Sequence, residues 1–431
     1  MNKNTWMMLV IGLTLSACGA QTATQAVSQP PIVPPPVSTE PVVSEPSQNP
    51  YAGFATRGPA FFETMPITGK TVWPTKNCDQ LGIREMMKAV DFNAAMYIVA
   101  SYRGKLQLHC SFGYSDQAAN KPAVISDTMG IESVSKLITA NLILQAVSEG
   151  KFRLDTPLTA VVPYYKPSVG SFSKKPTVLD ALRHRIGYGS STEQSRYINN
   201  YMPFAKVPYD FKSTFTGNPN SVEGQIWYYN TIPLEYEPGT QQTYSGAGYV
   251  ILSAALEAAY GKSYMQILQE KFMNKLNVTR IWNDGDTPII PDRAWRYKDN
   301  GEQRTDRNTP AGTGASGLIA SPLSILKIVE AFDFYEQGKN SLILDASAFT
   351  NYITPYRSEL VPISDKWYGH FGVAGIGSIS LAASNADGWS VFIGGTTLTS
   401  PSQAALINMA ESISQISPSA DNLWLTVAGK Y

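Results

Sequence analysis

Three cysteines and three histidines are few for a chain of 431 residues. The histidines, His109, His184 and His370, lie far apart in sequence. A zinc site needs closer or richer ligands, so no metal is assigned. Charge of one sign is also lacking, with 34 Lys and Arg against 34 Asp and Glu. No long basic run breaks that balance, and without a basic footprint nucleic acid is set aside as a partner. Internal repeats are absent. The apolar run Trp6–Leu15 is too short to be a permanent membrane span. There is no Gly-x-Ser-x-Gly elbow, which disfavours a Ser-His-Asp hydrolase built on a strand–elbow–helix.

The N-terminus reads as a leader and a tether. Lys3, the apolar run and the small residues of Leu15-Ser-Ala-Cys18 form an export signal over residues 1–17. Leu-Ser-Ala-Cys resembles the bacterial lipobox, which implies cleavage before Cys18 and a lipid on its thiol; a plain secretory signal is the alternative. Gly19, where Asp would favour inner-membrane retention, points to the outer membrane, with the protein lipid-anchored in the cell envelope and facing the periplasm. Residues 18–55 are rich in Pro, Ser, Thr and Gln, with Pro34, Pro35 and Pro36 in succession. Such a segment favours an extended tether, reaching some 90 Å at about 3.1 Å per residue.

Residues 56–431 are long enough for one large domain or two intimate ones. Cys78 and Cys110 remain after Cys18. In an oxidising periplasm they are candidates for a disulfide. Two free thiols are the alternative, because sequence does not give their separation.

Met96–Phe112 reads as a hairpin turning at Arg103-Gly104, with Leu106, Leu108, Cys110 and Phe112 alternating. An apolar helix follows from Val134 and stops near Gly150. Further helices are expected at Thr177–Arg183, Gly248–Tyr260 and Tyr264–Leu276. Pro203–Thr243, dense in Tyr, Gly, Asn and Pro, reads as a long loop over a cleft. Gly377–Ala383 and Trp389–Ile393 read as strands joined by the turn Asn385-Ala-Asp-Gly388. Ser400-Pro-Ser-Gln403 matches a capping box opening a helix to about Ile416. A sheet built from both ends of the chain would bring the helix at Val134 to the C-terminal strands.

The chemistry-bearing pattern is Ser133-Val-Ser-Lys136. Residues i and i+3 share a helix face, so an amine can sit beside the hydroxyl. A serine hydroxyl needs a base before it attacks, and a desolvated amine yields its proton more readily. Ser-x-x-Lys also occurs at Ser148–Lys151, Ser171–Lys174 and Ser324–Lys327. Ser148 lies at a helix end, Ser171 in a loop flanked by Pro167 and Pro176, and Ser324 in a first turn begun by Ser321 and Pro322. Only Ser133 opens a long apolar helix. The competing reading is an ordinary helix N-cap.

Two further motifs follow in order, Tyr244-Ser-Gly246 before a helix and His370-Phe-Gly372 before Val373. With Ser133–Lys136, the set resembles the class C β-lactamase and penicillin-binding-protein family of serine hydrolases, whose pattern is Ser-x-x-Lys, Tyr-x-Asn and Lys/His-x-Gly. That family includes DD-peptidases, D-aminopeptidases and esterases. The resemblance spans about residues 80–415. Arg103-Gly104, Glu149-Gly-Lys-Phe-Arg-Leu-Asp155 and Ser316-Gly-Leu-Ile-Ala-Ser321 also fit.

The resemblance implies an α/β (α+β) fold of β-lactamase/transpeptidase type: an antiparallel sheet flanked by helices, beside an all-helical second domain. The sheet lobe would hold about 80–150 and 300–431, and the helical lobe about 151–299. It implies an acyl-enzyme on Ser133 with Lys136 as base, Tyr244 as proton relay and no cofactor. The backbone amides of Ser133 and Val373 would form the oxyanion hole. His370 would steer substrate, and Gly372 would allow close approach to the strand. His184, in Leu182-Arg-His-Arg-Ile-Gly187, stands where relatives often carry a His-Thr-Ser-Gly-like segment, and a structural role is expected for it. Gly246 departs from the asparagine that contacts the acylamide of β-lactams. Together with histidine instead of lysine at 370, this shifts the expected substrate from β-lactams to a small-molecule ester or amide, or a cell-wall peptide. A non-catalytic lipoprotein that binds cell-wall peptide is the alternative from another class.

Overall fold

The computed structural model describes residues 67–71, 78–81, 95–200, 216–286, 290–297, 302–304, 312–332, 366–374, 378–396, 403–428 and 430–431. The leader, Cys18, the tether and Ser400-Pro-Ser fall outside the described residues.

An antiparallel sheet is assembled from both ends of the chain. Its strands are β1 (Lys70–Thr71), β2 (Met96–Tyr102), β3 (Lys105–Phe112), and three later strands at Trp367–Ala374, Ser378–Asn385 and Trp389–Gly395. The hairpin β2–β3 turns on Arg103 at φ 46° and Gly104 at φ 73°. Positive φ at both positions is what a two-residue hairpin with native twist requires.

Between the two ends lie the remaining elements. Strand β4 (Met129–Gly130) leads into helix α1 (Val134–Ser148). Short helices at Leu158–Val161, Val178–Leu182, Glu193–Asn200 and Val222–Tyr229 precede helix α2 (Gly246–Tyr260). Strands β5 (Ile281–Asn283) and β6 (Leu318–Ala320) join β4 in a small sheet, order β4-β6-β5. Helix α3 (Pro322–Ala331) follows, then the terminal strands, named β7, β8 and β9 in chain order, and helix α4 (Gln403–Ser414). The main sheet runs β1-β3-β2-β9-β8-β7, all neighbours antiparallel.

Period-two alternation sorts the sheet's side chains into two cores. Met96, Ile98, Ala100, Leu381, Val391 and Ile393 pack with Leu406, Met409 and Ile413 of α4. Tyr97, Val99, Ala382 and Phe392 point the other way, into the core shared with α1, α2 and α3. Helix α1 is buried from Val134 to Val147. An all-round apolar helix of this kind belongs between layers, and α1 lies between the sheet and the helical segments. The sulfurs of Cys78 and Cys110 are bonded, with Cα atoms 5.7 Å apart.

Three local readings differ from the sequence pattern. The stretch read as a loop contains the helix Val222–Tyr229, capped by Ser221 Oγ and anchored by buried Ile226 and Tyr229. Burial of aromatic side chains outweighs the weak helix preference of their neighbours. Tyr264–Leu276 is interrupted by a π-helical turn at Gln269–Met273. The motif His370–Gly372 lies in the middle of β7 rather than ahead of the strands.

Candidate active site

The N-terminus of α1 meets the edge strand β7 at the centre of the fold. Ser133 occupies the N-cap position of α1 with φ −65° and ψ −7°, and its hydroxyl makes no capping hydrogen bond. Other serines at helix starts behave differently. Ser245, Ser263 and Ser321 each accept the amide hydrogen three residues on. Capping therefore accounts for Ser321, while the Ser133 hydroxyl is left available. Ser148 donates to its own helix, to the Gln145 carbonyl at 2.8 Å.

Lys136 takes up what Ser133 leaves open. It is 2% exposed, and its Nζ donates to Ser133 Oγ at 3.1 Å and to the Ala315 carbonyl at 2.7 Å. Ala315 belongs to a glycine-rich turn strapped over α1. Thr139 Oγ1 of α1 donates to the Gly314 carbonyl at 2.7 Å. A Cβ on Gly314 would fall 1.9 Å from Ser253 Oγ of α2, so only glycine fits between the two helices. A helix face, a turn and a second helix thus fix one ammonium against one hydroxyl.

Tyr244 closes the next side. Its ring centroid lies 4.9 Å from Lys136 Nζ, and the side chain is 43% exposed. His184 stacks behind it, ring centroids 4.6 Å apart, and stands 5.2 Å from Tyr249. The Ser245 N–H donates to His184 Nδ1 at 3.1 Å, which places the imidazole proton on Nε2. Burial, with the Lys136 charge nearby, pushes His184 well below its ordinary value, so the ring is neutral. His184 is therefore part of the wall that holds Tyr244, beyond a role in the helical core. Gly246 is buried in the first turn of α2 and presents no side chain to the site.

Strand β7 supplies the opposite wall. His370 and Tyr244 have ring centroids 6.3 Å apart. The His370 Nδ1–H donates to the Phe371 carbonyl. Burial and then the Lys136 charge push His370 down to about 4. It is neutral at pH 7 and offers no fixed positive charge to a substrate carboxylate. Val373 is 43% exposed on the edge strand. Gly372 packs on the turn before Ser133: a Cβ there would lie 2.3 Å from the Ile131 carbonyl, 2.3 Å from Ser380 Oγ and 3.0 Å from Glu132 Cβ. Ser380 Oγ donates to that same Ile131 carbonyl at 2.8 Å. Backbone cannot withdraw as a flexible side chain does, so Gly372→Ala should separate β7 from the α1 turn. The expected outcome is a loss of at least about 10²-fold in ester turnover, the scale of losing one oxyanion donor, measured alongside thermal melting.

The turn itself is strained. Glu132 has φ 50°, where a residue with a side chain costs about 1–2 kcal/mol. The bonds of Ile131 N–H to the Leu318 carbonyl at 3.1 Å and of Val134 N–H to the Ile131 carbonyl at 3.1 Å hold it from both sides. The three motifs of the sequence thus converge on one place. Four participants carry little or no sequence signal of their own: Ala315, which acts through its carbonyl, Tyr249, Glu132 and Gly314. The run Ser316–Ser321 marked their neighbourhood only. Cys18 lies outside the described residues, and Cys78–Cys110 sits at the other side of the sheet, in the core with α4. Among the described residues, no group of His, Cys, Asp and Glu is arranged to hold a metal.

Comparison with known proteins agrees with this fold. The family model described as Beta-lactamase matches residues 83–411. The D-alanyl-D-alanine-carboxypeptidase/endopeptidase AmpH of Escherichia coli (strain K12) is 23% identical over 269 residues, covering 58% of this chain and 62% of that protein. The N-acetylmuramyl-L-alanine amidase of Bacillus subtilis (strain 168) is 28% identical over 200 residues, 43% of this chain and 41% of the relative. The chain thus spans only about half the length of these curated relatives. The octameric penicillin-binding protein homologue from Pyrococcus abyssi superposes with a TM-score of 0.62 at 18% identity, over 81% of this chain and 80% of that one, which is a likeness of fold. A family match across three quarters of the sequence, on the fold that brings the three motifs together, makes this chain a member of the Beta-lactamase family.

Proposed function

We propose that the chain is a serine acyl hydrolase that forms an acyl-enzyme on Ser133 and acts on an uncharged ester or amide of modest size. The observation that carries the reading is the 3.1 Å contact between Lys136 Nζ and a Ser133 hydroxyl that caps nothing. In this scheme the amine form of Lys136 takes the Ser133 proton as Oγ attacks the acyl carbon. The amides of Ser133 and Val373 stabilise the oxyanion, and the α1 N-terminus adds to that stabilisation. Tyr244, seated on Lys136, returns the proton to the leaving group. Water then attacks the ester on Ser133 by the reverse route and frees the acid. No cofactor takes part.

Two features favour neutral substrates. Gly246 offers no amide for an acylamide side chain, and His370 is uncharged at neutral pH. A substrate carboxylate would therefore meet neither a lysine nor an imidazolium at position 370. The names of the AmpH carboxypeptidase and of the amidase support a cell-wall peptide as the second reading. They also support placement in the bacterial cell envelope, which we read as lipid anchoring through Cys18 on the periplasmic side of the outer membrane.

The test is a side-by-side assay of a short-chain p-nitrophenyl ester, a chromogenic cephalosporin and a peptide ending in D-Ala-D-Ala. Ester turnover at least about tenfold above the other two in kcat/KM is the expected result; such a ratio corresponds to about 1.4 kcal/mol of transition-state preference. Preference for the peptide would move the assignment to a carboxypeptidase. Silence on all three, with no labelling by a fluorophosphonate, would indicate a peptide-binding protein instead.

A further inference from the structure

Glu132 immediately precedes Ser133 and has no part in the scheme above. Its backbone is left-handed, at φ 50°, and its side chain is 0% exposed. Neither carboxylate oxygen has a donor in full hydrogen-bond geometry among the described residues, and the Ser378 hydroxyl of β8 stands close enough to favour the ionised form. Its charged neighbour is Arg296, in the short strand Arg296–Tyr297, with Nη1 3.7 Å from Glu132 Oε1. Arg296 also lies 3.5 Å from Asp284, just after β5, and Asp284 pairs with Arg293 at 2.8 Å. Two guanidinium groups and a second carboxylate therefore stand behind the turn.

Glycine and serine also line its pocket. A Cβ on Gly130 would fall 2.6 Å from Glu132 Oε1 and 3.4 Å from Ser378 Oγ of β8. Glycine at 130 is what leaves room for the carboxylate. From β7, Gly372 approaches Glu132 Cβ. The residue is thus held at its carboxylate by charge and at its Cβ by the strand that carries Val373.

We infer that Glu132 is a positioning residue for Ser133: drawn towards Arg296, its carboxylate holds the left-handed turn that aims the nucleophile at Lys136 and seats it against Gly372. The inference rests on Ser133 being the nucleophile. A strained turn without that pull has cheaper conformations to relax into. A displacement of about 1 Å at a reacting group costs about 10²-fold in rate.

The same geometry gives a pH dependence. Burial raises the Glu132 carboxyl to about 7; Arg296, then the Ser378 hydroxyl and last Arg293 oppose that rise, and Asp284 adds to it. Protonation weakens the attraction to Arg296, so acylation should slow as pH falls through about 7. Stability should run the other way. A carboxyl whose pKa is raised by folding contributes its full stability below its unfolded value, and that contribution is lost as pH rises through about 7. The ionised form that positions Ser133 is the form that destabilises the fold.

The experiment measures the rate at which a fluorophosphonate phosphonylates Ser133 Oγ, with loss of fluoride, from pH 5 to 9, with melting temperatures at pH 8. It compares the wild type, Glu132→Gln, Glu132→Gly and Ser133→Ala. The expected result is a 10- to 100-fold slower reaction of Glu132→Gln at pH 8, on the scale of such a displacement. That variant should also lose the step near pH 7, with a melting temperature no lower than that of the wild type. A residue that only fills space would lose rate and stability together. Glu132→Gly, which suits the backbone but lacks the carboxylate, should be slowed similarly. A Glu132→Gln rate within twofold of wild type, with the pH step retained, would overturn the inference. Should Glu132→Gln not fold, a wild-type rate in Glu132→Gly overturns it and a slow rate in folded Glu132→Gly supports it. Failure of both to fold also overturns it, because positioning leaves the fold intact. Undiminished labelling of Ser133→Ala would instead remove the nucleophile on which the inference stands.

Discussion

Ser133→Ala is expected to lower ester turnover by about 10⁴-fold or more and to abolish fluorophosphonate labelling. The size follows from what the hydroxyl does. It is the atom that forms the new bond, and losing a nucleophile of this kind removes the whole covalent route, leaving only binding and oxyanion stabilisation. The effect should be confined to chemistry. Ser133 Oγ accepts no capping amide, so alanine removes no backbone bond from α1. Any melting shift should stay within the loss of the one bond from Lys136 Nζ, about 1.5–3 kcal/mol for a hydrogen bond to a charged group. Alanine at Ser321, by contrast, removes a true cap accepting from the Ser324 N–H. Kinetics, labelling and melting measured together separate these cases. Residual labelling of Ser133→Ala at the wild-type rate would exclude Ser133 as the attacked group.

Lys136→Ala should come next in size, with a loss of about 10²–10⁴-fold in kcat, the usual contribution of a positioned base. Two contacts disappear with the side chain, to Ser133 Oγ and to the Ala315 carbonyl. Lys136→Arg tests which property matters. Arginine keeps the positive charge and both donors but does not give up its proton in a protein. If Lys136 acted by charge alone, arginine would restore much of the rate. A base requirement leaves Lys136→Arg as slow as the alanine variant, and that is the outcome expected in kcat at pH 8. His184 offers no substitute base, since its Nδ1 accepts from the Ser245 amide and its Nε2 carries the proton.

Much of this site was legible because it rests on side chains at fixed spacing. Ser133 and Lys136 announce themselves by three residues on an apolar helix. Tyr244 and His370 do so through a motif order that resembles the family's Tyr-x-Asn and Lys/His-x-Gly, although Gly246 departs from it. The hairpin β2–β3 was legible from Arg103-Gly104 between alternating apolar residues. Strand β7 was not, because Gly369, His370 and Gly372 break the apolar alternation. The structure explains the glycines: a Cβ on Gly369 would come 2.0 Å from the Ala382 carbonyl of the paired strand, and Gly372 meets the α1 turn. Glycine in a strand marks such close approaches at the cost of the strand signal. Ala315 was invisible because it acts through a carbonyl that every residue has. Glu132 was invisible because positive φ in a non-glycine residue has no composition signature. The bond between Cys78 and Cys110 was a matter of distance, which separation along the chain does not fix.

The central claim is that acyl transfer passes through a covalent ester on one hydroxyl at the head of α1. Rapid acid quench during turnover of a slowly hydrolysed ester, followed by digestion and peptide mass mapping, tests it most directly. The account predicts the mass of the acyl group on the peptide containing Ser133, appearing within the first turnover and absent from Ser133→Ala. An acyl group mapped to another residue, or full turnover with no adduct at any quench time, would contradict it.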